Sequence, residues 1–268
     1  LEKFLRGAVS FSQGTDDYLD DDLEGKGLNS DHTAAEEGKP YTALEHQWDE
    51  GFGYFGASRS YDTWTDDEIA DLGAMDDDGS GAIDLTREVA FGHSLNAAKR
   101  DLGSSAEAPT DMTAVAFESF LAGRQLLSET AGTELTEEQR GQLYDHRDAA
   151  VRAWEESIAS TVVHYINDTL GDMSAMGGDS YDFATHAKHW SEMKGFALSL
   201  QFNPRSPLSD GDFIRLHELL GDAPVLADAG DDALAAGAGE LREARGLIAA
   251  AYGFDASNLG DDDGNGGW

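Results

Sequence analysis

Residues 136–171 read TEEQRGQLYDHRDAAVRAWEESIASTVVHYINDTLG, and this stretch determines the fold class. Thr136 and Gln139 have the spacing of a capping box, which marks the N-terminus of a helix. The apolar residues that follow recur at about 100° per residue along one stripe. They are Leu143, Val151, Trp154, Ile158, Val162, Tyr165 and Ile166. The stretch therefore predicts a long amphipathic helix that ends near Gly171.

Helical periodicity recurs on both sides of this stretch, whereas strand patterns are scarce. A second long helix is predicted at 181–202, where Asn203-Pro204 stops it. Further helices are predicted at 42–55, 65–74, 85–102, 112–130, 210–220 and 233–252. The sequence thus predicts an all-α protein built as a multi-helix bundle.

The domain organisation follows from the composition between the helices. Residues 1–254 are expected to form one helical domain, with a possible break into two sub-bundles near the polar segment 103–110. A second polar loop is predicted at 16–39. Residues 255–268 are rich in Gly and Asp, so we expect an acidic tail or a linker there.

The charge of the chain is extreme, with 53 acidic residues against 18 basic ones and a net charge of -35. Such a surface repels itself in dilute buffer, but the Debye length falls to about 3 Å at 1 M salt. Because 40% of the residues are hydrophobic and fall in helical register, a disordered acidic chain is the weaker alternative. We interpret the composition as an adaptation to very high salt.

Several classes of partner and chemistry are excluded or disfavoured. No basic patch exists to bind nucleic acid or an anionic membrane surface. No apolar run approaches the roughly 20 residues of a membrane-spanning helix. The absence of cysteine excludes disulfides, thiolate catalysis and Cys-ligated metals. His, Asp and Glu therefore remain as the candidate metal ligands.

The sharpest local motif is DDDGSGAID at residues 76–84, between two predicted helices. It matches positions 1, 3, 5, 6 and 9 of an EF-hand calcium loop. The predicted oxygen ligands are Asp76, Asp78, Ser80, the Ala82 carbonyl and Asp84. Arg87 occupies position 12, where a carboxylate normally closes the loop. Glu88 follows one residue late and is the predicted sixth ligand. Calcium binding and an acidic turn without an ion are both compatible with this pattern.

Two predicted helices carry a histidine and a carboxylate at helical spacing. His46 and Glu50 are i, i+4, and His189 and Glu192 are i, i+3. Imidazole together with carboxylate suits iron, zinc or manganese once a second helix completes the shell. We therefore expect the two pairs to face one pocket of the bundle. A core histidine with a surface ion pair, and a solvated acidic face, are the alternatives.

Two further histidines, His186 and His164, lie on the predicted helices at helical spacing from another histidine or a carboxylate. His186 is one helical turn before His189 on the same predicted helix. His164 and Asp168 are i, i+4 on the long helix but lie off its apolar stripe. We predict that His164 and Asp168 form a surface pair.

Four segments of the chain carry a family resemblance. They are TDDYLDD (15–21), YTALEHQWDEGFGYFG (41–56), IDLTREVAFGHSLNAAKRDL (83–102) and HWSEMKGFALSLQFNP (189–204). These blocks resemble an uncharacterised family of exported, often lipid-anchored proteins, domain of unknown function 4856, which is related to imelysin. The likeness spans most of the chain up to about Pro204.

The resemblance implies an all-helical fold of two packed bundles outside the cytoplasmic membrane, at a cell surface or lipid-anchored through a segment not present in this chain. Imelysin relatives share a Gly-x-His-x-x-Glu motif linked to metal binding. His189 and Glu192 supply its second part, while Ala187 stands where the glycine would be. The expected function is metal binding in iron handling. An imelysin-type metallopeptidase and a structural surface protein with a calcium-stabilised loop are the alternatives.

Overall fold

The computed structural model describes residues 1–268 and confirms the all-α class, since it contains nine α-helices and no β-strand. The helices are α1 (Glu2–Arg6), α2 (Ala43–Phe55), α3 (Asp66–Leu72), α4 (His93–Leu102), α5 (Met112–Thr130), α6 (Glu137–Ser174), α7 (Phe183–Ala197), α8 (Asp210–Leu220) and α9 (Asp231–Tyr252). None of them combines the length and the hydropathy that crossing a membrane requires.

Helix α6 is the centre of the bundle, and α4, α5, α7 and α9 pack around it. It begins with the predicted capping box, in which the Thr136 hydroxyl accepts the Gln139 N–H. Its middle is buried on every side and not along one stripe only. Glu155 is an example: it is fully buried and accepts hydrogen bonds from Asn203 and Tyr252.

The core is one continuous hydrophobic cluster that includes residues on both sides of the 103–110 segment. The helices on the two sides of that segment therefore share one core. Aromatic rings hold the cluster together where α2, α5 and α6 meet. Phe55 contacts Trp154 with ring centroids 5.4 Å apart, and Trp48 contacts Phe120 at 6.0 Å. Gly123 lets α5 approach the Trp48 ring closely, because it has no side chain.

The N-terminal segment is helical, which the sequence did not indicate. After α1 the chain continues through two π-helical turns, Gly7–Phe11 and Gln13–Tyr18. Glycines allow this segment to lie close to the bundle, because a Cβ at position 7 would clash with Ser199 and one at position 14 with the ring of Trp154. Glycines at buried positions interrupt the apolar pattern of residues 7–18, so hydrophobic periodicity did not predict that this segment is helical.

The segment before α4 differs from its prediction. A helix was expected over 85–102, but α4 begins only at His93. Residues 85–92 are held instead by an isolated antiparallel bridge between Ala74 and Val89. Beside this bridge, the N–H of Met75 donates to the Glu88 carbonyl at 3.2 Å. The acidic loop is therefore closed by an extended pairing and not by a second flanking helix.

The C-terminal segment 255–268 is packed, contrary to the expected tail or linker. Trp268 is buried, and its indole N–H donates to the Arg100 carbonyl at 2.8 Å. The Trp268 carbonyl accepts the Asn167 amide at 3.0 Å. Gly264 has a φ of 82° and lies against the backbone of Asn167, where any side chain would clash. Asp and Gly therefore build an ordered turn here.

Candidate metal centres

The loop between α3 and α4 brings three carboxylates together. Oxygen atoms of Asp76, Asp78 and Glu88 lie within 4.8 Å of one another. Asp76 and Asp78 are exposed, whereas Glu88 is buried. Among all His, Asp and Glu side chains of the chain, this is the one group of three or more with that spacing.

Glu88 reaches the cluster because of the bridge that closes the loop. Pairing of Ala74 with Val89 places Glu88 beside the start of the acidic run. One Glu88 carboxylate oxygen accepts the backbone N–H groups of Asp77 at 3.0 Å and Asp78 at 3.2 Å. In a regular EF-hand the closing carboxylate comes from position 12, at the start of the exiting helix. Here it comes from position 13, Glu88, which the extended pairing places beside the loop.

The turn inside the loop has the conformation that its glycines permit. Gly79 and Gly81 have φ values of 67° and 85°, which residues with a Cβ rarely adopt. The carboxylate of Asp76 accepts the N–H of Ser80 at 2.9 Å and that of Gly81 at 2.8 Å. These bonds fix Asp76 at the mouth of the loop.

The other predicted loop ligands are not part of this carboxylate cluster. Asp84 accepts both the N–H and the hydroxyl of Thr86. The Ser80 hydroxyl donates to the Ala82 carbonyl at 3.0 Å. These three groups stabilise the turn locally.

A basic side chain of the loop itself faces the cluster. The Arg87 guanidinium pairs with the carboxylate of Asp78 and lies 3.4 Å from Asp84 and 3.9 Å from Glu88. Hydrogen bonds from Ser80 lower the pKa of Asp78, and Arg87 adds to this effect. Arg87 therefore occupies the place from which a divalent cation would contact the same carboxylates.

A second copy of the loop motif escaped the sequence analysis. Residues 261–266 read DDDGNG, against DDDGSG at 76–81. The Asp261 carboxylate accepts the Asn265 N–H at 2.8 Å, which repeats the bond between Asp76 and Ser80. Gly264 and Gly266 again have positive φ values. A comparison of the sequence with itself would have found this repeat.

The structure does not bring the four predicted transition-metal ligands together. His46 lies 3.7 Å from Glu50, and both side chains are about two-fifths exposed. His189 and Glu192 lie on α7, which packs on α6 and α1, whereas α2 packs on α5 and the N-terminal π-helical turns. The expectation of one shared pocket is therefore corrected, because α2 and α7 pack against different elements of the bundle.

His189 instead contacts two carboxylates of α6. Its Nδ1 lies 2.8 Å from Asp172, and its Nε2 lies 3.8 Å from Asp168. Asp168 also faces His164, with Nε2 and Oδ2 3.5 Å apart. The predicted surface pair of His164 and Asp168 is thus part of a contact with α7. Glu192 turns toward Lys3 at 3.5 Å.

The environment of this histidine–aspartate cluster is partly desolvated. Burial and the neighbouring Arg100 lower the pKa of His164 to about 4, so its imidazole is neutral at pH 7. His186 is fully buried, and neither of its ring nitrogens has a hydrogen-bond partner. Neutral imidazoles next to carboxylates are the usual protein ligands of transition metals.

The protein is an all-helical bundle, and it carries two groups of potential metal ligands. Residues 1–72 match the family model described as Domain of unknown function (DUF4856). The matched part includes the TDDYLDD segment and the His46 helix, and it stops before both candidate metal centres. No curated protein and no solved structure matches the chain.

Proposed function

We propose that this protein binds a divalent cation of the calcium type in the loop at residues 76–88. The observation that carries the proposal is the convergence of Asp76, Asp78 and Glu88. Calcium takes six to eight oxygen ligands at roughly 2.3–2.6 Å, and carboxylates are its preferred protein ligands. Glu88, one residue beyond position 12 of the motif, supplies the closing carboxylate.

Each group has a defined part in this proposal. Asp76 and Asp78 supply exposed oxygens, and Glu88 supplies a buried one whose orientation is fixed by backbone N–H groups. Water completes the coordination. Arg87 has to leave Asp78 when the ion binds, because both cations contact the same carboxylate.

Calorimetry with calcium at one fixed, molar salt concentration tests the proposal. The parent protein should give a binding heat, and Asp78→Asn should lose most of the affinity because it removes a charged ligand. Asp62→Asn is the matched control, since Asp62 is an exposed aspartate outside the loop. A parent protein without a calcium heat, or equal affinities for all three proteins, would overturn the proposal.

A second candidate is a transition-metal site at His164, Asp168 and His189. It is favoured by the contact of Asp168 with both Nε2 atoms, at 3.5 and 3.8 Å. Asp172 holds Nδ1 of His189 at 2.8 Å, which is the outer-shell contact that typically orients a metal-binding histidine. The ligand atoms of His164, Asp168 and His189 do not all lie within 4.8 Å of one another, so the side chains have to move before they could reach the distances of about 2.0–2.2 Å that zinc requires.

Metal analysis of protein purified without chelator tests this second site. Bound iron, zinc or manganese should be lost in His164→Ala and in His189→Ala. His46→Ala is the matched control, because the His46–Glu50 pair lies on another helix. Loss of metal in His46→Ala, or its retention in His189→Ala, would contradict this site.

The wider roles rest on the family resemblance. An exported, lipid-anchored protein of iron handling at the surface of a halophilic cell would retain iron at the α6–α7 cluster. An imelysin-type metallopeptidase would need an open coordination position and a general base beside the metal. A structural surface protein would bind calcium alone. Calcium as the only bound metal would favour the structural role. A transition metal at the α6–α7 cluster would favour one of the other two roles, and an assay of peptide hydrolysis separates those.

A further inference from the structure

A buried histidine ties the loop at residues 30–36 to the ends of two helices. His32 lies in this loop, and it is 4% exposed. Its Nδ1 lies 2.8 Å from the hydroxyl oxygen of Thr42, the residue that caps α2. Its Nε2 lies 3.0 Å from the hydroxyl oxygen of Thr130, the last residue of α5. One imidazole therefore connects the 30–36 loop to both helices.

The hydrogen bonds of the two threonines assign the tautomer of His32. The Thr130 hydroxyl donates to the Leu126 carbonyl at 2.8 Å, so its oxygen accepts the hydrogen on Nε2 of His32. A neutral imidazole carries one N–H, and Nδ1 is therefore an acceptor. It accepts the hydroxyl hydrogen of Thr42, whose oxygen accepts the N–H of Glu45 at 3.2 Å. These side chains satisfy one another only while His32 is neutral.

A second proton on His32 would break this arrangement. Nδ1 would become a donor, and the direction of its hydrogen bond to Thr42 would reverse. The hydroxyl hydrogen of Thr42 would then lose its acceptor, although this side chain is 2% exposed. An unpaired buried hydroxyl and a buried charge both cost free energy. Protonation therefore opposes the contact between the 30–36 loop and the two helices.

Charged groups of all three elements act on His32: Asp31 of the loop, Glu45 of α2 and Arg124 of α5. Burial has the largest effect and lowers the pKa of His32, while Glu45 and Asp31 act against it and Arg124 adds to it. Both oxygens of Glu45 are already engaged, by the N–H of Thr42 and by Arg124. The folded state therefore binds this proton less tightly than the unfolded state. The stabilisation from the contact is complete above about pH 6.5 and decreases as the pH falls below it.

We propose that His32 is a pH-sensitive latch, which holds the 30–36 loop on α2 and α5 while its imidazole is neutral and releases the loop when the imidazole is protonated. Two backbone hydrogen bonds report the position of the loop. The N–H of Leu44 donates to the Asp31 carbonyl at 3.1 Å, and the N–H of Gly132 donates to the His32 carbonyl at 3.0 Å. Release breaks both bonds, so exchange of these two amide hydrogens measures it.

Amide hydrogen exchange at two pH values, about 7.5 and 5.5, and one fixed salt concentration tests the latch. After correction for the intrinsic exchange rate, protection of Leu44 and Gly132 should fall about five- to tenfold at the lower pH, which is one unit below the ordinary pKa of histidine. Arg59, whose N–H donates to the Arg87 carbonyl, should keep its protection. Equal protection of Leu44 and Gly132 at both pH values, or an equal loss at Arg59, would overturn the proposal.

A variant separates the imidazole of His32 from the other groups that titrate in this range. In His32→Gln the side chain keeps a donor and an acceptor but takes up no proton, so protection of Leu44 and Gly132 should no longer depend on pH. The matched control is His46→Gln, which changes a partly exposed histidine of α2 and should keep the pH dependence of the parent. Unchanged pH dependence in His32→Gln, or its loss in His46→Gln, would refute the assignment. Nitrogen NMR of the parent protein at the higher pH should show the His32 hydrogen on Nε2, and a hydrogen on Nδ1 would contradict the latch.

Discussion

Replacing Arg87 by glutamine should raise the affinity of the acidic loop for calcium. In the structure the Arg87 guanidinium pairs with Asp78 and approaches Asp84 and Glu88. It therefore competes with any cation for the same carboxylates. Arg87→Gln removes this competitor, and it leaves Asp76, Asp78 and Glu88 in place.

The size of the effect follows from the exposure of the partners. The side chains of Arg87 and Asp78 are about two-fifths exposed, so solvent screens their attraction as it does in other surface ion pairs. The three carboxylates share one guanidinium, so its contacts do not add independently. The dissociation constant for calcium should therefore fall by about two- to tenfold.

Calorimetry of the parent, Arg87→Gln and Arg215→Gln at one salt concentration measures this effect. Arg215 pairs with Glu218 and Glu243 on another part of the surface, so its variant makes the same change in net charge without touching the loop. The affinity should rise in Arg87→Gln alone. An affinity that is equal or lower in Arg87→Gln, or that rises equally in Arg215→Gln, would refute the reasoning.

Three further predictions concern stability. Gly123→Ala should destabilise the fold by about 1–3 kcal/mol in denaturant titrations, because its Cβ would lie 2.0 Å from the Trp48 ring. The control Gly141→Ala has open space around the new Cβ and should stabilise the fold by about 0.5–1 kcal/mol. Burial and the neighbouring Asp101 raise the pKa of Asp66 to about 6, so the folded state binds this proton more tightly than the unfolded state. The free energy of unfolding should therefore fall as pH rises from about 4 to 6, and Asp66→Asn should remove that fall. Because the net charge is -35, helical circular dichroism should decrease on dialysis from about 3 M to 0.1 M salt and return with added salt; equal stability at both would contradict the inferred salt adaptation.

Much of the fold could be predicted because helix ends and helical periods are local signals. The predicted capping box at Thr136 marks the start of α6 correctly. The helix predicted at 42–55 matches α2, which Thr42 caps. The start of α4 could not be placed this way, because the bridge between Ala74 and Val89 overrides the helical pattern of the residues before His93. That bridge depends on a contact between separate segments, which no local window contains.

The candidate sites also differ in whether local sequence or contacts between separate segments form them. The loop at residues 76–84 is one continuous segment, so its glycine turn and acidic residues were visible in the sequence. The partners of His189 were not, because Asp168 and Asp172 become neighbours only when α7 packs on α6. Helical spacing directed attention to His46 and Glu50, which lie on a helix that packs elsewhere.

The buried carboxylate of Glu155 connects a cleft to the end of α7. Tyr252 lines a cleft between the start of α5, the middle of α6 and the end of α9. It donates its hydroxyl to Glu155 at 2.9 Å, and Glu155 accepts the Asn203 amide at 2.6 Å. Asn203 directly follows the 3-10 turn that extends α7, the helix of His189. A ligand that displaces Tyr252 would break its hydrogen bond to the buried Glu155 carboxylate, which also accepts Asn203. Linkage is reciprocal, so whatever a ligand in the cleft changes in the packing of α7, that packing must change in equal measure in the affinity of the cleft.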